Sequence, residues 1–321
     1  MHRHHFFIHY FTTILLMYRR AFLKNLGGTV MLASMAGLPL DLLAEGDDLT
    51  KITILHTNDV HSRIEPFPMD GGRFQGLGGA AKRAQLIKNI RQQEKNVLLL
   101  DSGDIFQGTP YFNYFGGELE FKLMSQMRYD VATIGNHDFD GGIDGLHQQL
   151  PHANFQFVSA NYDFSDTILN ETVKPYTIIK KSGIKIGIFG LGIELEGLVP
   201  KDLYKNTIYL SPVEKANEYA AILKKEEKCD LVICLSHLGY KYSGKKISDV
   251  VLAQSTQNID LILGGHTHTF LDQPTTLKNT ADQPVLVHQV GWAGIVLGRL
   301  DVYFEKTKNK HCTTCNNLTI K

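Results

Sequence analysis

Only four cysteines occur in 321 residues, and four thiols do not make a disulfide framework in a chain of this length. Cys229 and Cys234 belong to an apolar run, Cys229 to Leu235, where a thiol acts as a small hydrophobe. Cys312 and Cys315 form a CxxC near the C-terminus with no second pair to complete a tetrahedral zinc site. An excess of charge of one sign is missing too, since basic and acidic side chains both total 33. Residues 1–44 hold Arg3, Arg19, Arg20 and Lys24 against Asp41 alone, which leaves 29 basic and 32 acidic groups in the remainder. A weakly acidic body has no general field for nucleic acid or an anionic membrane. A phosphate-bearing substrate must therefore be attracted locally, by metal ions for instance. Between residues 50 and 305 there is no fixed-period repeat, coiled coil or low-complexity linker.

Long hydrophobic runs are scarce as well. The apolar stretch Leu26 to Leu40 contains three glycines and falls short of the ~20 residues a bilayer span needs, so a stable membrane anchor is not expected. Arg19-Arg20-Ala21-Phe22-Leu23-Lys24 before it, and Leu42-Leu43-Ala44 after it, read as an export signal with a cleavage site. The pattern is similar to a twin-arginine signal, although Tyr18 stands where Ser or Thr is commoner. Residues 1–44 are thus an N-terminal extension and signal peptide, with Met17 as the expected true start, and the expected location is the periplasm.

What remains is ordinary for a globular protein, 43% hydrophobic and 21% charged. Residues 45–306 read as one large domain and 307–321 as a frayed C-terminal tail. Strand-like runs alternate with amphipathic segments. Ile52 to His56, Asn96 to Leu100, Asp130 to Ile134, Asp230 to Leu235, Ile259 to Leu263, Val285 to His288 and Ile295 to Tyr303 read as strands. Helices are expected near Ala80–Gln93, Glu118–Met127 and Gly142–Leu150. Another is expected after Ser211, with Pro212 at its first position and Glu214 completing a capping box. Tyr176–Ile179 and Ile184–Phe189 read as a hairpin. The mixture predicts an α/β fold of two packed sheets flanked by helices.

Five polar islands follow strand-like runs: Asp59-Val60-His61, Gly103-Asp104, Gly135-Asn136-His137-Asp138, His237, and Gly264-Gly265-His266-Thr267-His268. Ligands of open α/β folds collect beyond the carboxyl ends of strands, where these islands lie. Asp59 and His61 can face one cavity if Val60 points away. Two aspartates, an asparagine carbonyl and four histidines exceed what one tetrahedral ion takes. A carboxylate shared between two ions accounts for the surplus, and the mixed oxygen and nitrogen set suits manganese, zinc, cobalt or iron. His56, His147, His152, His288 and His311 have no comparable setting and are assigned to structure.

With these stretches the chain resembles the metallophosphoesterase (calcineurin-like) superfamily, and within it the catalytic domain of bacterial periplasmic 5′-nucleotidases and 2′,3′-cyclic-nucleotide phosphodiesterases. Leu55 to Ser62, Leu99 to Gly108, Thr133 to Gly141, Ser236-His237 and Gly264 to His268 carry the resemblance. It implies a four-layer α/β/β/α sandwich with two mixed sheets. It further implies that Asp59, His61, Asp104 and His268 hold one divalent ion, and Asp104, Asn136, His237 and His266 the other. His137, oriented by Asp140, would be the catalytic histidine, and Asn161 would help line the substrate site. The implied reaction is hydrolysis of nucleotide phosphate monoesters by a metal-bridging hydroxide, with 2′,3′-cyclic nucleotides as the alternative substrate.

Proteins of that type carry a second, C-terminal domain that stacks the base. This chain ends at Lys321, so the resemblance implies either loose specificity for small phosphate esters or a separate base-recognition polypeptide. Two further readings stay open. One is a thiosulfohydrolase-like hydrolase with the same ligands. The other is a metal-stabilised binding subunit, which has no evident use for His137 with Asp140.

Overall fold

Near-continuous apolar strands must be covered on both faces, because successive side chains point to opposite sides of a sheet. That requirement shapes the fold. The computed structural model describes residues 49–244, 246–305 and 311–321. The expected signal peptide and start at Met17 lie outside these residues.

One sheet contains β1 (Leu49–Thr57), β2 (Val97–Asp101), β3 (Val131–Ala132) and β4 (Gln156–Phe157), all parallel. β13 (Val296–Glu305) joins the free edge of β1 in antiparallel register, followed by β14 (His311–Cys315), while β15 (Leu318–Thr319) also pairs with β13. The second sheet holds β6 (Tyr176–Lys181), β7 (Ile184–Gly192), β9 (Leu231–His237), β10 (Leu261–Leu263), β11 (Thr275–Lys278) and β12 (Pro284–His288). Its spatial order is β11-β12-β10-β9-β7-β6, with β7, β9, β10 and β12 parallel. A short pair, β5 (Tyr162–Asp163) and β8 (Ile208–Tyr209), stands apart.

Alternation along the strands builds three apolar layers. Ile52, Ile54, Leu98 and Leu100 of the first sheet meet Ile186, Ile188, Ile233, Leu235 and Leu263 of the second. Leu55 and Leu99 turn the other way and pack under α1 (Ala80–Gln93) and α3 (Glu118–Met127) through Ile87, Ile90 and Phe121. On the far face of the second sheet Phe189, Val232, Cys234 and Ile262 pack with Ala216, Ala220 and Leu252. Those last three come from α6 (Pro212–Ala221) and α7 (Asp249–Ser255). Burying each such Leu, Ile or Phe contributes about 1.5–3 kcal/mol, which makes these layers the main source of stability. The result is the expected α/β/β/α sandwich. It is completed by α2 (Pro110–Phe115), α4 (Gly142–Gln149) and α5 (Lys201–Tyr204).

Local chemistry agrees with these elements. Ser211 caps α6 by accepting the Glu214 amide at 3.4 Å, with Pro212 in the first turn where its missing N–H is not needed. Cys229 and Cys234 are buried free thiols, as expected of core hydrophobes. One expectation fails: residues 311–319 are not a frayed tail. They extend the first sheet along β13, and Ile320 is buried, with its carbonyl accepting the Gly78 amide at 2.9 Å. Ladder pairing and that apolar anchor explain why a polar stretch is ordered.

The parallel strands β1, β2, β3, β9 and β10 precede the islands carrying Asp59, Asp104, Asn136, His237 and His266 in turn. No helix of the described residues is long and apolar enough to cross a membrane.

Candidate metal centre

Beyond β1 the chain takes a left-handed turn, with Asp59 at φ 51° and His61 at φ 50°. This puts both side chains on one side, while Val60 faces the opposite way and lines a small cavity with Arg83, Glu120 and Met124. Asp104, His266 and His268 also have positive φ, at 56°, 72° and 51°. Non-glycine residues avoid this region, so its concentration here marks backbone held in place by its surroundings.

Two groups that could each hold a metal ion result. Asp59, His61 and His268 form one, and Asp104, His237 and His266 the other, with the ligand atoms of each lying within 4.8 Å of one another. His61 Nε2 is 3.1 Å from His268 Nε2, and His268 Nε2 is 3.3 Å from Asp59 Oδ1. Asp104 Oδ2 lies 3.0 Å from His237 Nε2 and 3.8 Å from His61 Nε2, so one carboxylate oxygen faces both groups. Asn136 Oδ1 approaches His266 Nδ1 at 2.9 Å. All seven side chains named from the sequence therefore meet at one place.

Close packing of backbone makes that convergence possible. A Cβ at Gly135 would collide with Asp104 Oδ1 and sit 2.5 Å from the Asp104 amide nitrogen, so only glycine lets the two loops touch. Asp138, nearly fully buried, accepts amides of Gly135 (2.7 Å), Asp104 (3.0 Å) and Ile105 (2.8 Å), tying the same two loops together. Asn58 donates to Asp59 Oδ2 at 2.6 Å and accepts the Val290 amide at 3.0 Å. Gln289 Oε1 accepts from Thr267 Oγ1 at 3.1 Å, holding the strand-end turn between His266 and His268. Asp138, Asn58 and Gln289 were not singled out by sequence. Asp138 alone carried a signal, as a carboxylate among glycine-flanked loop amides that need an acceptor.

The donor set itself tests whether cations fit. His237 Nδ1 lies 2.7 Å from the Ser102 carbonyl, an acceptor, so Nδ1 carries the proton. In the neutral ring Nε2 then aims a lone pair at Asp104 Oδ2, and this buried nitrogen has no aligned hydrogen-bond partner. Burial opposes charge on His237, yet Asp104 and Asp59 outweigh it and raise the imidazole to about 10, so the surroundings of Nε2 draw in a positive charge, which a proton or a divalent ion can supply. Burial likewise opposes charge on Asp104, but His237 and His61 hold it below the usual carboxylate range. His61 repeats the pattern, with Nδ1 3.2 Å from the Phe106 carbonyl and Nε2 facing His268 Nε2. Imidazole nitrogens and carboxylate oxygens crowded so that positive charge is favoured between them fit divalent cations.

His137 belongs to neither ligand group. Its Nδ1 is 2.8 Å from Asp140 Oδ2, its ring stands edge-on to His61 at 5.3 Å, and it is partly exposed. The hydrogen bond to Asp140 raises its pKa, with burial opposing. Asn161 is placed differently from its expected lining role. It is fully buried, its Nδ2 donating to the Gly192 carbonyl and its Oδ1 accepting the Gly192 amide, both at 2.8 Å. Both polar ends are committed to joining β5 to the end of β7. Of the histidines assigned to structure, His56 and His288 form a buried pair, Nε2 to Nδ1 at 2.8 Å.

Comparison with known proteins agrees with this geometry. Residues 52–270 match the calcineurin-like phosphoesterase model. The chain is 35% identical over 279 residues to the snake venom 5′-nucleotidase of Crotalus adamanteus, covering 81% of this chain and 46% of that protein. It is 36% identical over 256 residues to the 5′-nucleotidase of Vibrio cholerae, covering 76% and 45%. Among solved structures, a 5′-nucleotidase precursor from Thermus thermophilus superposes with a TM-score of 0.77 at 33% identity, covering 84% of this chain and 55% of that one. The chain thus spans about half the length of these relatives. Matched over residues 52–270 and sharing the fold, the chain belongs to the calcineurin-like phosphoesterase family of metal-dependent hydrolases.

Proposed function

We propose that the chain is an exported phosphoesterase with two divalent ions, hydrolysing phosphate monoesters of nucleotides as a 5′-nucleotidase does. The observation that carries the two-ion reading is Asp104 Oδ2 facing His237 and His61 from between the two ligand groups. Asp59, His61 and His268 would hold one ion, with Asn136, His237 and His266 at the other and Asp104 shared. Divalent ions held there would supply a water of lowered pKa and offset charge on the phosphoryl oxygens.

The residues of the chain supply the rest. Asp140 fixes the Nδ1 proton of His137 and favours the imidazolium. The transferable proton is therefore on Nε2, which gives it to the leaving alkoxide oxygen as the ester bond breaks. Asp138 and the glycines of both loops hold Asp104 still, so the charge-stabilising groups need not reorganise during reaction. The His137–Asp140 pair weighs against a pure binding subunit. The twin-arginine-like run at Arg19-Arg20 supports export to the periplasm.

Purified chain assayed with manganese against 5′-AMP, 2′,3′-cyclic AMP and an aryl phosphate tests this reading. Hydrolysis of 5′-AMP is expected. Full metal occupancy with no hydrolysis of any phosphate ester would overturn it.

A further inference from the structure

Four aromatic rings stand together at the rim of the metal centre, and metal ligation does not use them. Trp292 lies parallel to His268, with ring centroids 5.6 Å apart and planes at 5°. Phe67 and Phe74 meet Trp292 edge-on at 5.7 and 6.3 Å, and Phe74 stacks with Phe270 at 6.3 Å and 26°. Phe270 is 40% exposed, and Trp292, Phe67 and Phe74 are partly so.

This patch is fixed by the fold. Phe270 follows His268 by two residues, pairs through its backbone with Val290, and rests on Gly291, where an added Cβ would collide with the ring. Phe67 and Phe74 belong to a loop closed on itself by Phe67 N to Leu77 O (2.9 Å) and Gly76 N to Phe67 O (2.9 Å). Arg63 and Arg73 sit over Phe67 and Phe74, at 4.2 and 5.1 Å, so cations border the rings. An exposed apolar surface held rigid beside a site marks a place for a ligand. Planar π-systems recognise planar rings by stacking, with little dependence on ring identity.

We propose that Phe74, Phe270 and Trp292 form a ledge on which the nucleobase of a nucleoside monophosphate stacks while its phosphate occupies the adjoining ligand groups. The inference rests on the phosphoesterase reading and adds where on this chain the ring on the alcohol side would be held. Continuity through the Trp292–His268 stack ties the ledge to the phosphate end, and the bordering guanidiniums suit an anionic ligand. On this account the chain carries a base-recognition surface of its own.

Trp292 is the single tryptophan of the sequence, so its fluorescence reports on the ledge directly. Adenosine, which has no phosphate, is expected to quench it saturably, and ribose is not. Phe270→Leu, which keeps apolar volume but removes the ring, should weaken the adenosine response on the order of tenfold, whereas Phe270→Tyr retains it, with metal content equal in both. In turnover, Phe270→Leu should raise the KM for 5′-AMP more than that for glycerol 2-phosphate. No adenosine response, or equal responses in wild type and Phe270→Leu, overturns the ledge even if 5′-AMP is hydrolysed. A ring-dependent adenosine response in a chain that hydrolyses no phosphate ester keeps the ledge and overturns the phosphoesterase reading instead.

Discussion

His237 and Asp104 meet at 3.0 Å, Nε2 to Oδ2, inside a fully buried contact whose imidazole already commits Nδ1 to the Ser102 carbonyl. A carboxylate facing an imidazole nitrogen in a low-dielectric interior calls for a positive charge between them, which a metal ion supplies in competition with the ring's own proton. Removing either partner should therefore be felt first in metal content.

Asp104→Ala is expected to release most bound metal, since it removes the oxygen that both ligand groups face. Activity should fall on the order of 10³-fold or more. Metal analysis beside the 5′-AMP assay checks this, and equal metal content with near-normal turnover would contradict it.

His137→Ala is expected to keep its metal and lose roughly 10²–10⁴-fold in kcat, the range of a general acid. Asp140→Asn leaves the ring in place but loses the charged acceptor at 2.8 Å, so its kcat should lie between those of wild type and His137→Ala. A His137→Ala variant that loses metal as Asp104→Ala does would place His137 among the ligands.

Gly135→Ala should abolish metal binding although the residue bears no ligand. The added methyl would run into Asp104 Oδ1 and fall 2.5 Å from the Asp104 backbone nitrogen, and backbone cannot step aside cheaply. A stability loss of about 1–3 kcal/mol is expected alongside. Denaturant titration with metal analysis measures both.

Asp249, hydrogen-bonded to Ser236 directly behind His237, gives a pH test. Burial raises its carboxyl to about 8, with Ser236 Oγ as hydrogen-bond donor at 2.5 Å opposing the shift. The native state keeps this proton, whereas the unfolded chain surrenders it above about pH 4. Between about 4 and 8 the unfolded state binds fewer protons, so stability falls as pH rises through that window. Asp249→Asn removes this slope, and its Tm should gain on wild type from pH 5 to pH 8. A constant difference between the two melting curves across that range would count against it.

Much of this was legible in the sequence because the fold obeys local rules. The runs at Ile52 to His56 and Val97 to Leu100 announce two-faced strands, and Ser211-Pro212 announces a helix start. Polar islands after such runs pointed to one rim, and the seven ligand candidates do share it. Other features needed three dimensions. Ser248 caps α7, accepting the Val251 amide at 3.4 Å, but a helix of seven residues leaves too short a period to recognise. β14 is polar and β15 only two residues long, and both draw order from β13, a partner distant from the motifs. The side-chain amide of Asn161 serves Gly192, a pairing no spacing encodes. The Trp292–His268 stack joins residues from two loops and likewise has no sequence period.

Asp59, His61, Asp104, Asn136, His237, His266 and His268 are proposed to hold two cations that share a carboxylate. Electron paramagnetic resonance of the chain loaded with manganese, with bound metal counted in the same sample, addresses this most directly. The account predicts two ions per chain with the spectrum of an exchange-coupled pair, collapsing in Asp104→Ala. One isolated ion per chain, or two that show no coupling, would contradict it.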